Sequence, residues 1–164
     1  MAQTGFQLSD EGRTISVLND SGTTAITAGD LVYALANDDV MSDTAANVRN
    51  SCDTAADVKV TAMLASATGY KTVLGVALED LGTASVGSIA LEGIFLHPVS
   101  DNTEAGEVVQ GNAATANKLV SIPTVTAGST TTNQAGTEAI KYKIGKALTG
   151  GSADGKYIVW KLTL

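Results

Sequence analysis

Ala28-Gly29-Asp30-Leu31-Val32, Leu74-Gly75-Val76-Ala77 and Val86-Gly87-Ser88-Ile89-Ala90-Leu91 return later in the same order. Their counterparts are Ala105-Gly106-Glu107-Val108-Val109, Ile144-Gly145-Lys146-Ala147 and Asp154-Gly155-Lys156-Tyr157-Ile158-Val159. The offsets are 77 (Gly29 to Gly106), 70 (Gly75 to Gly145) and 68 (Gly87 to Gly155), so the order is kept while the connections shorten. A recurring turn, strand, glycine and strand is scaffold, and it predicts two related units in one all-β domain, a compact sandwich or barrel with little helix.

Around that pattern, Thr14-Ile15-Ser16-Val17-Leu18 alternates as a strand and Asn19-Asp20-Ser21-Gly22 stops it. Leu31 to Leu35, Val58 to Leu64 and Thr72 to Leu78 read as further strands, and Gly87 to Pro98, the most apolar stretch, reads as one central strand. The second unit continues through Val108-Val109-Gln110, Leu119 to Ile122, Tyr142 to Gly145 and Tyr157 to Leu162. Glycine within a strand marks a bulge or a close backbone approach, the expectation for Gly75. Residues 1–11 are short, polar and without periodicity, and are read as an extended N-terminal arm. Residues 12–164 form a single β domain, with related halves at about 25–98 and 99–164.

Asn37 to Asp57 is a long insertion with an echo of its own, Asp43-Thr44-Ala45-Ala46-Asn47-Val48 against Asp53-Thr54-Ala55-Ala56-Asp57-Val58. Its alanines allow a helical turn or two, while its threonines and aspartates equally favour caps and turns.

Composition limits function. At 164 residues the chain can bury most of its apolar surface as one domain, and 44% hydrophobic content argues against disorder. The net charge is −7 and the basic residues are scattered singly, so no Lys/Arg stripe exists to displace counterions from nucleic acid. No apolar run approaches the roughly 18 residues of a membrane span, and Met1-Ala2-Gln3-Thr4-Gly5 lacks the start of a secretory signal. The expectation is a soluble protein made in a cytoplasm, binding neither nucleic acid nor membrane.

Candidate chemistry is sparse. Gly150-Gly151-Ser152-Ala153-Asp154-Gly155-Lys156 has the spacing of a phosphate-cradling loop. Tyr157 stands where a Ser or Thr would hold magnesium, however, and strand residues follow, so a hairpin turn is the preferred reading. His97, the one histidine, precedes Pro98 at a strand end and reads as a surface or rim residue; Ser100 and Asp101 nearby do not make a triad. Asp38-Asp39 and Glu79-Asp80 are adjacent in sequence, which does not set two carboxyls across a cleft.

Asp38, Asp39, Asp43, Asp53 and Asp57 lack ordered calcium-loop spacing and are read as solvating the insertion. Lone Cys52 can form no internal disulfide and has no His or second Cys beside it for zinc. Tyr157 and Trp160 are more apt for core or interface than for stacking on a sugar or base. The expectation is no catalytic residue, no cofactor and no metal.

The residues do resemble a known group. Ala28 through Val32, Gly75 through Ala77, Gly87 through Phe95 and the closing Gly155 through Leu162 are similar to the openings, strands and last strand of the head-decoration, or capsid cement, proteins of tailed bacteriophages. The resemblance covers roughly Ala25 to Leu164; the 37–57 insertion and the Thr-rich 124–137 loop are extra relative to the shortest members. It implies a non-enzymatic structural protein of the virion exterior, partnered by the major capsid protein and by itself, with a trimer favoured.

The arm supplies a means of contact. A segment that orders on binding can add a strand to an exposed sheet edge, and the residues expected to do so are Gln3, Thr4, Gly5, Phe6, Gln7 and Leu8. The alternative is a phage tail or fibre component, or another surface β-module, that binds host carbohydrate through exposed Tyr and Trp side chains.

Overall fold

The computed structural model describes residues 6–7, 12–20, 22–34, 59–62, 73–122, 141–152 and 155–164. Among the described residues the elements are all strands: β1 (Phe6–Gln7), β2 (Thr14–Asn19), β3 (Leu31–Ala34), β4 (Lys59–Ala62), β5 (Val73–Ala77), β6 (Val86–Ala90), β7 (Glu92–Pro98), β8 (Val108–Gly111), β9 (Leu119–Ser121), β10 (Gly145–Ala147) and β11 (Tyr157–Thr163). Strands β2-β4-β3-β5-β6 close into a barrel, and β1-β7-β11-β10-β8-β9 form a six-stranded sheet. The all-β expectation holds.

The two units correspond strand for strand. In the first, β2 pairs β6, β6 pairs β5, β5 pairs β3 and β3 pairs β4, all antiparallel, and parallel β2-β4 pairing closes the ring. In the second, β7 pairs β11, β11 pairs β10, β10 pairs β8 and β8 pairs β9 in the same senses. There the closing contact is one parallel bridge, Val99 to Leu119. The bridge Ile26–Leu81 of the first unit likewise matches Thr103–Gly151 of the second.

The same turn chemistry precedes β3 in the first unit and β8 in the second. The Gly29 amide donates to Ala77 O at 2.8 Å and the Gly106 amide to Ala147 O at 2.9 Å; both glycines have positive φ, 87° and 93°. In each turn a carboxylate reaches back to an amide three residues earlier. Asp30 Oδ2 accepts from Thr27 N at 2.8 Å, and Glu107 Oε2 accepts from Glu104 N at 2.8 Å. This local bond fixes the direction in which β3 and β8 leave their turns.

Two features differ from the sequence reading. First, the apolar run from Gly87 to Pro98 is two strands in two sheets, β6 in the barrel and β7 in the second sheet, parted at Leu91. The unit boundary therefore falls near Leu91, and β7 opens the second unit. Leu91 donates its amide to Arg13 O, and Gly93 takes φ 147°, so the chain changes sheet without a conventional turn.

Second, Gly155 corresponds to Ala84 and not to Gly87. Ala84 N donates to Asn19 O and Gly155 N to Val99 O, both at 2.8 Å, with φ of 58° and 76°. The third offset is thus 71, in line with the second. Gly87 lies within β6 opposite Val17, and a Cβ there would lie 2.0 Å from Leu81 Cδ2.

Burial follows the alternation of the strands. One cluster fills the barrel, with Val17, Ile26, Val32, Val60, Ala77, Leu81 and Ile89 among its members. The larger cluster combines Phe95, Val99, Val109, Leu119, Ile158, Trp160 and Leu162 of the second unit with Leu31, Val76 and Ala90 of the first. Residues one step along β3, β5 and β6 thus belong alternately to the barrel interior and to the joint between units.

Candidate functional site

Main-chain direction along β7 identifies the edge of the second sheet. Val99 N donates to Lys156 O on the β11 side and Ser100 N to Leu119 O on the other, so successive residues alternate between the two neighbours. By that alternation Leu96 presents its amide and carbonyl to β1, where Phe6 is its antiparallel partner and Gln7 faces Phe95. Gln7 then directs its own amide and carbonyl away from the sheet. β1 is the edge strand, and among the described residues no strand pairs with its outer side.

Of the six residues expected to make an intermolecular contact, Phe6 and Gln7 therefore lie on this chain's own sheet. Gln3, Thr4, Gly5 and Leu8 lie outside the described residues, as do the 37–57 insertion with Cys52 and its five aspartates, and the 124–137 loop. Next to the edge, exposed Arg13 pairs with Glu92 at 3.0 Å. A solvent-exposed pair of this kind is worth little by itself.

The second constellation is internal. Asp30, at the first turn of the barrel unit, accepts from Asn117 Nδ2; Asn117 Oδ1 accepts from Leu31 N at 2.6 Å. Asn117 lies in the β8–β9 connection with φ 57°, a left-handed conformation that asparagine tolerates better than most residues. Its side chain thus pins the start of β3 to the second unit. Burial raises the Asp30 pKa above the usual carboxylate value against the lowering effects of the Thr27 amide and Asn117, and Asp80 adds to the rise.

His97 adjoins this joint and is fully buried, contrary to the surface or rim position expected from its place before Pro98. The strand continues through Pro98, and the alternation of β7 puts His97 on the same inward face as Phe95 and Val99. Its ring meets Trp160 edge-on at 6.0 Å, and neither ring nitrogen has a hydrogen-bond partner; Trp160 Nε1 also lacks one. Burial lowers the His97 pKa to about 4, and the Asn117 side chain, which favours the charged ring, offsets only part of that. The ring is neutral at neutral pH. No signal in the sequence marked the Asp30–Asn117–His97 grouping, whose members come from three separate segments.

Other candidates resolve as scaffold. Gly150, Gly151 and Gly155 lie in the connection between β10 and β11, where Gly151 bridges Thr103 and Gly155 turns with positive φ. Trp160 is buried, as core residues are, while Tyr157 is half-buried. Glu79 Oε1 accepts from Ser88 N, and Asp80 Oδ1 from Ala28 N, both structural contacts at exposed positions. Among the described residues no group of three His, Cys, Asp or Glu side chains could hold a metal, and no helix is long and apolar enough to cross a membrane.

No protein-family model and no curated protein sequence matches the chain. Among solved structures it is similar to the head fibre gp8.5 N base of bacteriophage phi29, at 10% identity and a TM-score of 0.45 over 92% of this chain and 95% of that one. A likeness this distant has no bearing on function.

Proposed function

We propose that this is a non-enzymatic structural protein of a phage virion that docks on the outside of the capsid and stabilises the shell. The position of β1 carries the reading. Phe6 and Gln7 form the edge of a six-stranded sheet, so a strand of the major capsid protein can continue that sheet through main-chain hydrogen bonds. A preformed β scaffold loses little entropy on docking, and many copies on one shell multiply modest contacts. The resemblance of Ala28–Val32, Gly75–Ala77 and Gly87–Phe95 to capsid cement proteins points the same way. Self-association, with a trimer favoured, belongs to the same reading.

A carbohydrate-binding fibre module would use exposed aromatics, and the burial of Trp160 removes the largest of them.

The test is deletion of residues 1–8 followed by mixing with expanded, undecorated capsids. Binding should be lost, with the free protein's melting temperature nearly unchanged, because β1 contributes only two residue pairs to the fold. Retained binding would overturn the edge contact. Association through main-chain and apolar groups should also weaken only slightly with salt, whereas a steep salt slope would indicate charge pairing instead.

A further inference from the structure

We propose that His97, acting through Asn117, makes the joint between the two β units acid-sensitive: a proton added to the buried ring loosens the hold of Asn117 on Asp30 and Leu31. The inference is independent of capsid docking and concerns the free protein.

The geometry supplies the mechanism. The neutral ring meets Trp160 and lies on the inward face that β7 shares with Phe95, opposite Ile158 of β11, with both nitrogens unpartnered. An imidazolium carries two donors that need acceptors. From β11 the ring meets Trp160, whose indole is itself a donor and cannot accept. From the β8–β9 connection the Asn117 side chain acts on the ring without a well-formed hydrogen bond to it, and its Oδ1 accepts from Leu31 N. The titratable group tied to that amide is Asp30, which feels Asp80 in turn; among the described residues no charged group acts on His97 directly.

A charged ring therefore competes with the Leu31 amide for the Asn117 oxygen, and still leaves a donor bare in an apolar core. That outcome favours arrangements in which the joint opens to water.

The sign follows from the lowered pKa. Unfolded chains bind the His97 proton near pH 6.5 and the folded protein only near 4, so the stabilisation is complete above 6.5 and is lost as pH falls through that window. Asp30, with a raised pKa, contributes in the opposite sense and partly offsets the loss.

The experiment is an NMR and unfolding titration of the intact chain from pH 7.5 to 3.5. The His97 ring resonances should titrate near 4, and the Leu31 amide proton should shift along the same curve. The His97 proton should raise the unfolding constant by roughly 80-fold between pH 6.5 and 4. His97→Phe should flatten that segment while leaving the steeper carboxylate transition at lower pH. Should His97→Phe fail to fold, the two wild-type resonances decide. A His97 titration near 6.5, or a Leu31 amide that ignores it, overturns the proposal, as does an unchanged pH slope in a folded His97→Phe protein.

Discussion

Single glycines show what the repeat preserves and why. A Cβ on Gly75 would lie 2.2 Å from Ala90 O, and one on Gly145 would lie 2.1 Å from Lys161 O, equivalent backbone atoms on β6 and β11. Backbone cannot step aside as a flexible side chain can, so Gly75→Ala and Gly145→Ala should each cost at least about 2 kcal/mol, measured by denaturant unfolding. Losses below about 0.5 kcal/mol would show that the strands can separate freely there. Ala84 is the converse case. It holds the left-handed turn that Gly155 fills in the second unit, at φ 58°, so Ala84→Gly should be neutral or stabilise by up to about 1 kcal/mol, while Gly155→Ala should destabilise by about 1 kcal/mol. This alanine is why the third repeat pair is misaligned by sequence reading alone: the turn lacks its glycine, and Gly87, three residues later, takes its place in the pattern. His97 was misread as a surface or rim residue for a related reason. A histidine before proline looks like a strand end, and only the pairing of Pro98 with Tyr157 shows that the strand runs on.

At the level of elements, the strands were legible where apolar and polar residues alternate, as in β2 and β4, or where a short apolar run lies between turn-forming clusters, as in β3 and β5. The division of β6 from β7 was not, because Ala90-Leu91-Glu92 contains neither glycine nor proline and the hydrophobic run continues across it. Partner choice at that point depends on Arg13 O receiving the Leu91 amide, a contact between residues far apart in sequence. The pairing of Phe6 and Gln7 with β7 was not legible either, since two residues carry no periodicity. Sheet closure also differs between the units. β4 has β2 and β3 as full neighbours, whereas β9 pairs along its length with β8 alone and meets the other end of the sheet at the single Val99–Leu119 bridge. Amides of β9 should therefore exchange with deuterium well before those of β5 and β6, which have neighbours on both sides within the closed barrel. Equal protection in β9 and β5 would mean that the second unit closes as tightly as the first.

At the scale of the molecule, a duplicated β unit could behave as two independent beads or as one body, and the placement of its core decides between them. Leu31, Val76 and Ala90 project from the barrel strands into the cluster that contains Phe95, Trp160 and Leu162, and all six are fully buried. The barrel thus completes the core of the second unit, and Asn117 adds a buried hydrogen bond to Leu31 across the same joint. Separating the units would expose this apolar surface at about 25 cal/mol per Å² and leave the Leu31 amide without its acceptor. Heating the full chain should accordingly give one calorimetric transition whose van't Hoff and calorimetric enthalpies agree. Leu31→Ala should lower the stability of that single transition by about 2–5 kcal/mol, because the cavity lies in the core both units share. If it instead splits the trace into two transitions, the joint depends on that one side chain; two transitions already present in the wild type would show that the units fold separately and that the shared cluster contributes little to cooperativity.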